Sequence, residues 1–298
     1  MLNRVSGVSA FQARANTEIA AILSDPDKYP IITENAENAQ LKVTNINTEI
    51  HSKGFRSGLE DWDGNLAGKP MIDHMKSTND PRLRAMFEPG LNAAGIYNGL
   101  DPMSVSAVQT TLVAGGTISI YNRSTLSRNQ FFPGILMNAS EVHFLIAEYY
   151  LRSGNAGAAK TAYNNGITKS IEFYYGLRAI SNDNTAPTLV PVRAAEIASY
   201  LGHTMVSWDA AATNADKLKL LATEKWIHYS VVQPVESWSE IRRLDSPTFN
   251  FEIDNTNIQK IPPTRWLYSG SEMVYNTANY AAAKAKDNLT TRLFWDAK

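Results

Sequence analysis

Residues 137–174, MNASEVHFLIAEYYLRSGNAGAAKTAYNNGITKSIEFY, constrain the fold more tightly than any other stretch. Asn138 and Glu141 stand three apart at the head of an apolar run, the spacing of a capping box, so a helix begins there. Val142, Leu145, Ile146 and Tyr149 recur at helical spacing until Gly154. Asn155 then caps a second helix whose face carries Ala159, Tyr163, Ile167 and Ile171. The pair forms a hairpin over 137–175. Its Ile146, Ala147, Tyr150, Gly154, Ala159, Tyr163 and Gly166 fit the apolar and small positions of one tetratricopeptide unit, and the small residues let the helices approach closely. The proline usual near that repeat's end is absent and there is no second copy. A tetratricopeptide unit and an ordinary helix hairpin both stay open.

The rest of the chain surrounds that hairpin with helices and long irregular stretches. Phe11, Ala15, Ile19, Ile22 and Leu23 share one face of a helix over 10–24, ended by Asp25-Pro26. Residues 30–68 show little periodicity and include EDWDGN at 60–65. A short helix covers Pro70 to Ser77. From Pro89 to Ser140 the sequence reads as loop with short strands, TISIYN at 117–122 alternating as a strand would. So long a helix-poor segment is usually functional or poorly ordered. Further helices are expected at 191–202, 211–232, 236–243 and 276–286. In the third-last of these Leu218, Leu221, Trp226 and Tyr229 face inward until Pro234 breaks it. The expected fold is mainly α: tetratricopeptide-like helix hairpins with long irregular loop insertions and a few short strands, in one domain over 1–298.

Several chemistries drop out. There is no cysteine among the 298 residues, which removes disulfides, thiol nucleophiles and Cys-based zinc sites. A net charge of −1 offers no general attraction to nucleic acid or anionic lipid. No apolar run approaches the ~20 residues of a membrane span, and MLNRVSGVSAFQ lacks the apolar core of a signal peptide. The five histidines show no metal-ligand spacing and no HExxH. Asp61, Asp63 and Asn65 alternate like the start of a calcium loop, but the glycine falls at the fourth position and Ile72 at the twelfth, so a solvated turn is the better reading. GNLAGK at 64–69 is one residue short of a phosphate-binding loop and is followed by Pro70. No metal and no cofactor is expected. Glu236 and Glu240 lie four apart on one helix face as a potential carboxylate dyad, but Arg243 is within reach, and a paired carboxylate makes a poor general acid. Trp226 and Trp238 read as packing between helices in preference to a ligand.

Five segments in order carry a family resemblance. ATEKWIHYSVVQPVESWSEIRRLDSP (222–247) resembles the "QKW…EAW-x-E-x-RR-TG-x-P" segment of the SusD/RagB family of outer-membrane nutrient-binding lipoproteins. STNDPRLRAMFEPG (77–90) is similar to its "nDPRL" block, and 137–174 to its "EV-x-F-x-x-AEA…G…A…Y-x-x-GI-x-aS" helix pair. YSGSEMVYNTANY (268–280) resembles "YP-x-E-x-x-x-N-x-x-NY", and RLFWD (292–296) the terminal "k-x-WWD". Family members are usually longer, with a signal, a lipidated cysteine and earlier helix pairs, so this chain resembles their C-terminal portion.

The resemblance implies a non-catalytic protein on the outer face of the outer membrane, held there by a lipid anchor absent from this chain. It would cap a TonB-dependent SusC-like transporter, hold an oligosaccharide or polysaccharide, and release it into the barrel. The matched Trp226, Glu236, Trp238, Arg242 and Arg243 would define the fold and face the core or the transporter. Ligand residues cannot be carried over, because variable loops bear them. Sugar rings stack on exposed aromatics whose rims are gripped by polar side chains. Trp62 between two aspartates, Tyr97 beside Asn98, Tyr121 followed by Asn122 and Arg123, and Trp208 next to Asp209 are the candidates; packing competes with ligand contact at each. Trp266 and Tyr268 read as packing. A helical-repeat scaffold for a peptide or protein, and a helical glycoside hydrolase, are the alternatives.

Overall fold

The computed structural model describes residues 1–47, 53–61, 64–251 and 262–296. In chain order its elements are α1 (Leu2–Val5), α2 (Ser9–Ser24), β1 (Ala39–Leu41), α3 (Lys53–Glu60), α4 (Lys69–Ser77), α5 (Leu83–Met86), β2 (Phe87–Glu88), α6 (Ser106–Ala114), β3 (Ile120–Tyr121) and β4 (Gly134–Met137). The second half is helical: α7 (Ala139–Arg152), α8 (Ala156–Ala179), α9 (Ala194–Leu201), α10 (Asn214–Tyr229), α11 (Pro234–Leu244), α12 (Gly270–Tyr275) and α13 (Thr277–Ala283). The mainly α fold with few short strands is as expected.

Helices α7 and α8 form the anticipated hairpin. Asn138 Oδ1 accepts from the Glu141 backbone N–H at 2.9 Å, and Asn155 Oδ1 from that of Ala158 at 3.1 Å. The capping box does not close on its other side, because the Glu141 carboxylate accepts from Gln233 Nε2 at 3.0 Å instead. Gly154 turns the chain at φ +82°, where a Cβ would be strained. Gly166 sets the spacing of the helices: a Cβ there would lie 2.6 Å from the Phe144 ring. Ser140 Oγ donates to the Gly166 carbonyl across the same seam at 2.8 Å.

Helix α8, about 36 Å long at 1.5 Å per residue, serves two cores. Its C-terminal half gives Phe173, Tyr174 and Leu177 to a core with Met71, Ile72 and Met75 of α4, Met86, Phe87 and Ile227. Its first two thirds pack Ala159, Tyr163, Ile167 and Ile171 on Phe144, Ala147, Tyr200, Trp208 and Leu221. Helix α10 packs on α7, and α11 on α10. The strands make two antiparallel pairs: β1 with β4, Gln40 opposite Ile135, and β2 with β3, Phe87 opposite Tyr121.

Two helices lie in stretches that read as loop. In α3, Gly54 and Gly58 each cost about 1 kcal/mol of helix propensity, but Phe55 stacks on Phe132 with ring centroids 4.6 Å apart. Packing overrides propensity there. In α6, four of nine residues are β-branched and none is buried, so no amphipathic stripe announces it. Helix α2 sits where expected, but of its predicted face only Ala15 is buried, and Phe11 is 45% exposed.

Candidate functional site

The charges of 224–243 turn inward. Lys225 Nζ, with no solvent exposure, lies 2.9 Å from Glu148 Oε2 and 2.8 Å from Glu240 Oε2. Arg243 reaches the same two carboxylates at 2.7 and 2.6 Å. Burial pushes the Glu240 carboxyl up, but Lys225 and Arg243 outweigh it and hold the group down at about 2. Glu148 is held well below the usual range in the same way, by Lys225 and Arg243 against its burial. Glu236 pairs with Arg4 of α1. Glu240 is therefore tied to Arg243, as their spacing suggested, whereas Glu236 pairs with Arg4 instead, and the Glu240 carboxyl at about 2 cannot donate a proton near neutrality.

A second buried network joins the other motifs. Arg82 donates to Asp80 Oδ2 at 2.6 Å, Glu224 Oε2 at 2.7 Å, Tyr200 Oη at 2.8 Å and Ser170 Oγ at 3.0 Å. From Ser170 a chain of bonds runs through His228, Asn138 and Gln233 to Glu141, with steps of 3.0, 2.8, 2.9 and 3.0 Å. Burial, with Arg82 adding to it, drives the His228 imidazole down to about 3. These residues are consumed by the fold.

The predicted ligand residues scatter. Trp62 lies outside the described residues. Tyr97 is half-buried beside the first core, and Lys76 Nζ donates to its carbonyl at 2.8 Å. Burial pushes its phenol up, with Arg84 opposing and Glu88 adding to the shift. Tyr121 is a packing residue: its ring stacks on Phe87 at 4.8 Å and its hydroxyl lies 3.2 Å from Ser230 Oγ. Arg123 spends its guanidinium on Glu88, with Nη2–Oε2 at 2.8 Å and Nε–Oε1 at 3.1 Å. Trp208 is 3% exposed and lies against Tyr163 at 5.1 Å, so no sugar can reach its faces. Strand alternation and polar neighbours do not report which face of a ring is covered. Conversely Trp266, expected to pack, is 80% exposed.

A cleft opens elsewhere, between the outer side of α4, the turn at 101–103, α10 and the segment 247–251. It encloses about 780 Å³. Trp226 and Phe249, ring centroids 5.1 Å apart, form an aromatic wall, continued by Phe251, 46% exposed. Lys69, Asp73, Asp101 and Asn250 form the rim. Trp226 is half-buried: one side packs on the first core and the other lines the cleft, so packing was half of its role. Tyr97 stands four positions before Asp101 on one segment, within about 14 Å even if extended. The segment is held against α4, since Leu100 O accepts from Lys69 N at 2.9 Å and Gly99 leaves no room for a Cβ beside the Lys69 backbone. Phe249 carried no periodic or motif signal. A narrower cleft of about 440 Å³ lies across the 247–251 segment, walled by Trp238 and Phe251. Among the described residues no cluster of three or more metal-ligating side chains occurs, and no helix is long and apolar enough to cross a membrane.

Comparison with known proteins supports the family resemblance. A SusD homolog from Bacteroides fragilis superposes with a TM-score of 0.79 at 20% identity, covering 100% of this chain and 65% of that one. A SusD-like protein from Bacteroides thetaiotaomicron gives 0.68 at 26% identity, covering 99% and 61%. A protein described as chitin-binding gives 0.73 at 21%, covering 100% and 62%. The chain thus spans a little under two thirds of the length of these relatives. Among curated proteins none matches. The profile of the SusD-like family described as "Starch-binding associating with outer membrane" matches residues 1–269. With nearly the whole chain matched in sequence and fold, the protein belongs to the SusD-like family.

Proposed function

We propose that the protein binds a glycan in the cleft beside Trp226 and Phe249, does not cleave it, and delivers it to a TonB-dependent transporter of the outer membrane. One observation carries the reading: an open cleft of about 780 Å³ pairs an aromatic wall with a rim of carboxylates and amides. A sugar offers apolar C–H faces to the rings and hydroxyl donors to the rim. Family membership supports the ligand class, and one structural relative is described as chitin-binding. Tyr97, on the approach to the cleft, is proposed as a further contact, and Trp62 keeps its place on sequence grounds. The absence of turnover rests on the pairing of the buried Glu148 and Glu240 with Lys225 and Arg243, which holds both carboxyls below the usual range and leaves them no proton to give.

Affinity electrophoresis through gels containing neutral polysaccharides tests the reading. Retardation by at least one polymer, weakened in Phe249→Ala, is expected, with Kd between millimolar and micromolar, about −4 to −8 kcal/mol. Unretarded migration through the whole panel, or release of reducing sugar, overturns it. Co-purification with a large outer-membrane barrel would test the delivery step.

A further inference from the structure

We propose that the cleft selects against acidic glycans and takes neutral or amino-sugar chains. This inference rests on the glycan-binding reading and adds the charge class of the ligand. The charged lining side chains are Lys69, Asp73 and Asp101. Lys69 is the one cation among the described lining residues, and it is already paired with Asp73 one helical turn away. Asp101 adds a carboxylate on the same rim, close enough to act on Lys69 electrostatically. His74 also lines the cleft, but its burial lowers its pKa, so it adds no charge near neutrality. Among the described lining residues one negative charge is in excess.

A neutral sugar donates its hydroxyls to these carboxylates. A protonated amine on the sugar gains a direct ion pair with Asp101. A uronate or sulfate meets a like charge and finds, among the described lining residues, no cation other than the paired Lys69. A like charge about 5 Å from Asp101 weakens binding about tenfold or more at the dielectric of a half-open cleft.

The rim is built in a way that lets the charge be changed without disturbing the backbone. Asp101 Oδ1 accepts from the Met103 N–H at 2.9 Å, and an asparagine retains that oxygen. Replacing Asp73 by asparagine instead frees Lys69. With both changes a lone cation remains and the preference inverts.

The test uses matched polymers. Pullulan, hydroxyethyl cellulose and glycol chitin are compared in affinity gels with the same polymers oxidised at their primary alcohols to carboxylates, at low salt. The readout is the ratio of retardation on the oxidised to the neutral form within each variant. The wild-type ratio is expected at about one tenth or below, rising with Asp101→Asn and passing one in the Asp73→Asn, Asp101→Asn double variant. Equal retardation by oxidised and neutral polymers in the wild type overturns this inference and leaves the glycan-binding reading standing. A ratio unchanged in the double variant overturns the assignment to Asp73 and Asp101. Failure of every polymer to retard the protein overturns both.

Discussion

Arg243 clasps Glu148 with two parallel contacts, Nη1 to Oε1 and Nη2 to Oε2, each 2.7 Å, across 95 positions of sequence. Glu148 comes from α7, Arg243 from α11, and Lys225 of α10 sits between them. Three helices are thereby fixed by one buried cluster. The desolvation of such charges offsets much of their attraction. Their effect is directional: any other register of α10 or α11 would strand a buried charge.

Removing Lys225 should therefore be costly out of proportion to its size. Lys225→Met is expected to lower the stability measured by urea unfolding by about 3–5 kcal/mol. Combining it with Glu240→Gln should cost less than the sum of the single changes, because the second removes one of the two buried carboxylates that the first left in excess around Arg243. Strict additivity would show that the cluster is not a unit.

Gly166→Ala tests the hairpin seam. A helix interior normally gains about 1 kcal/mol from this change. Here the new Cβ would meet the Phe144 ring at 2.6 Å, and that ring is wholly buried and has nowhere to go. Overpacking of about 1–3 kcal/mol should win. Thermal unfolding is expected to show a lower Tm, recovered when Phe144→Leu is added; a raised Tm in the single variant would refute the tight approach.

These two sites mark what could be read without coordinates. Asn138, Asn155, Gly154 and Gly166 act locally or on the adjacent helix, so their spacing along the chain carries their meaning. The order of the DPRL, helix-pair and KW…RR segments was visible too. Its physical content, two buried charge networks, was not, because partners such as Arg82 and Glu224 lie 142 positions apart. The ligand candidates fared worst for a related reason. Trp208 and Tyr121 have polar neighbours in sequence and apolar neighbours in space. Trp226 belongs to a helix stripe and still turns one side to the cleft. Phe249 sits in SPTFNF, where nothing periodic singles it out.

His228 should stay neutral through the physiological range, with a fixed tautomer. Arg82 can only donate, so Ser170 accepts from it and donates to Nδ1. At the far end Glu141 accepts from the Gln233 amide, which turns Gln233 Oε1 toward Asn138 and Asn138 Oδ1 toward Nε2. The proton therefore sits on Nε2. Because its pKa falls to about 3 on folding, from about 6.5 unfolded, the unfolded state binds the extra proton first. Its stabilisation is complete above about pH 6.5 and is lost as pH falls toward 3, by up to about 1.4 kcal/mol per unit. His74 and His143, also lowered by burial, add with the same sign. Nitrogen-15 NMR should show an unprotonated Nδ1 down to pH 5, and His228→Gln should flatten the acid limb of stability against pH. An imidazolium signal at pH 6 would contradict the bonding order.

Binding and stability should separate between two aromatic positions. Trp208 is enclosed by the second core, so Trp208→Ala is expected to cost about 3–5 kcal/mol of stability, with the polysaccharide affinity of the molecules that remain folded unaltered. Phe249 lies against Trp226, ring centroids 5.1 Å apart, and lines the cleft. Phe249→Ala removes a stacking surface rather than a core residue, so affinity should fall about tenfold while Tm moves little. Titration calorimetry and thermal unfolding on the same preparations read both quantities. If Trp208→Ala weakens binding per folded molecule more than Phe249→Ala does, the ligand is held on the α8–α10 side of the protein and the cleft beside α4 is not the site.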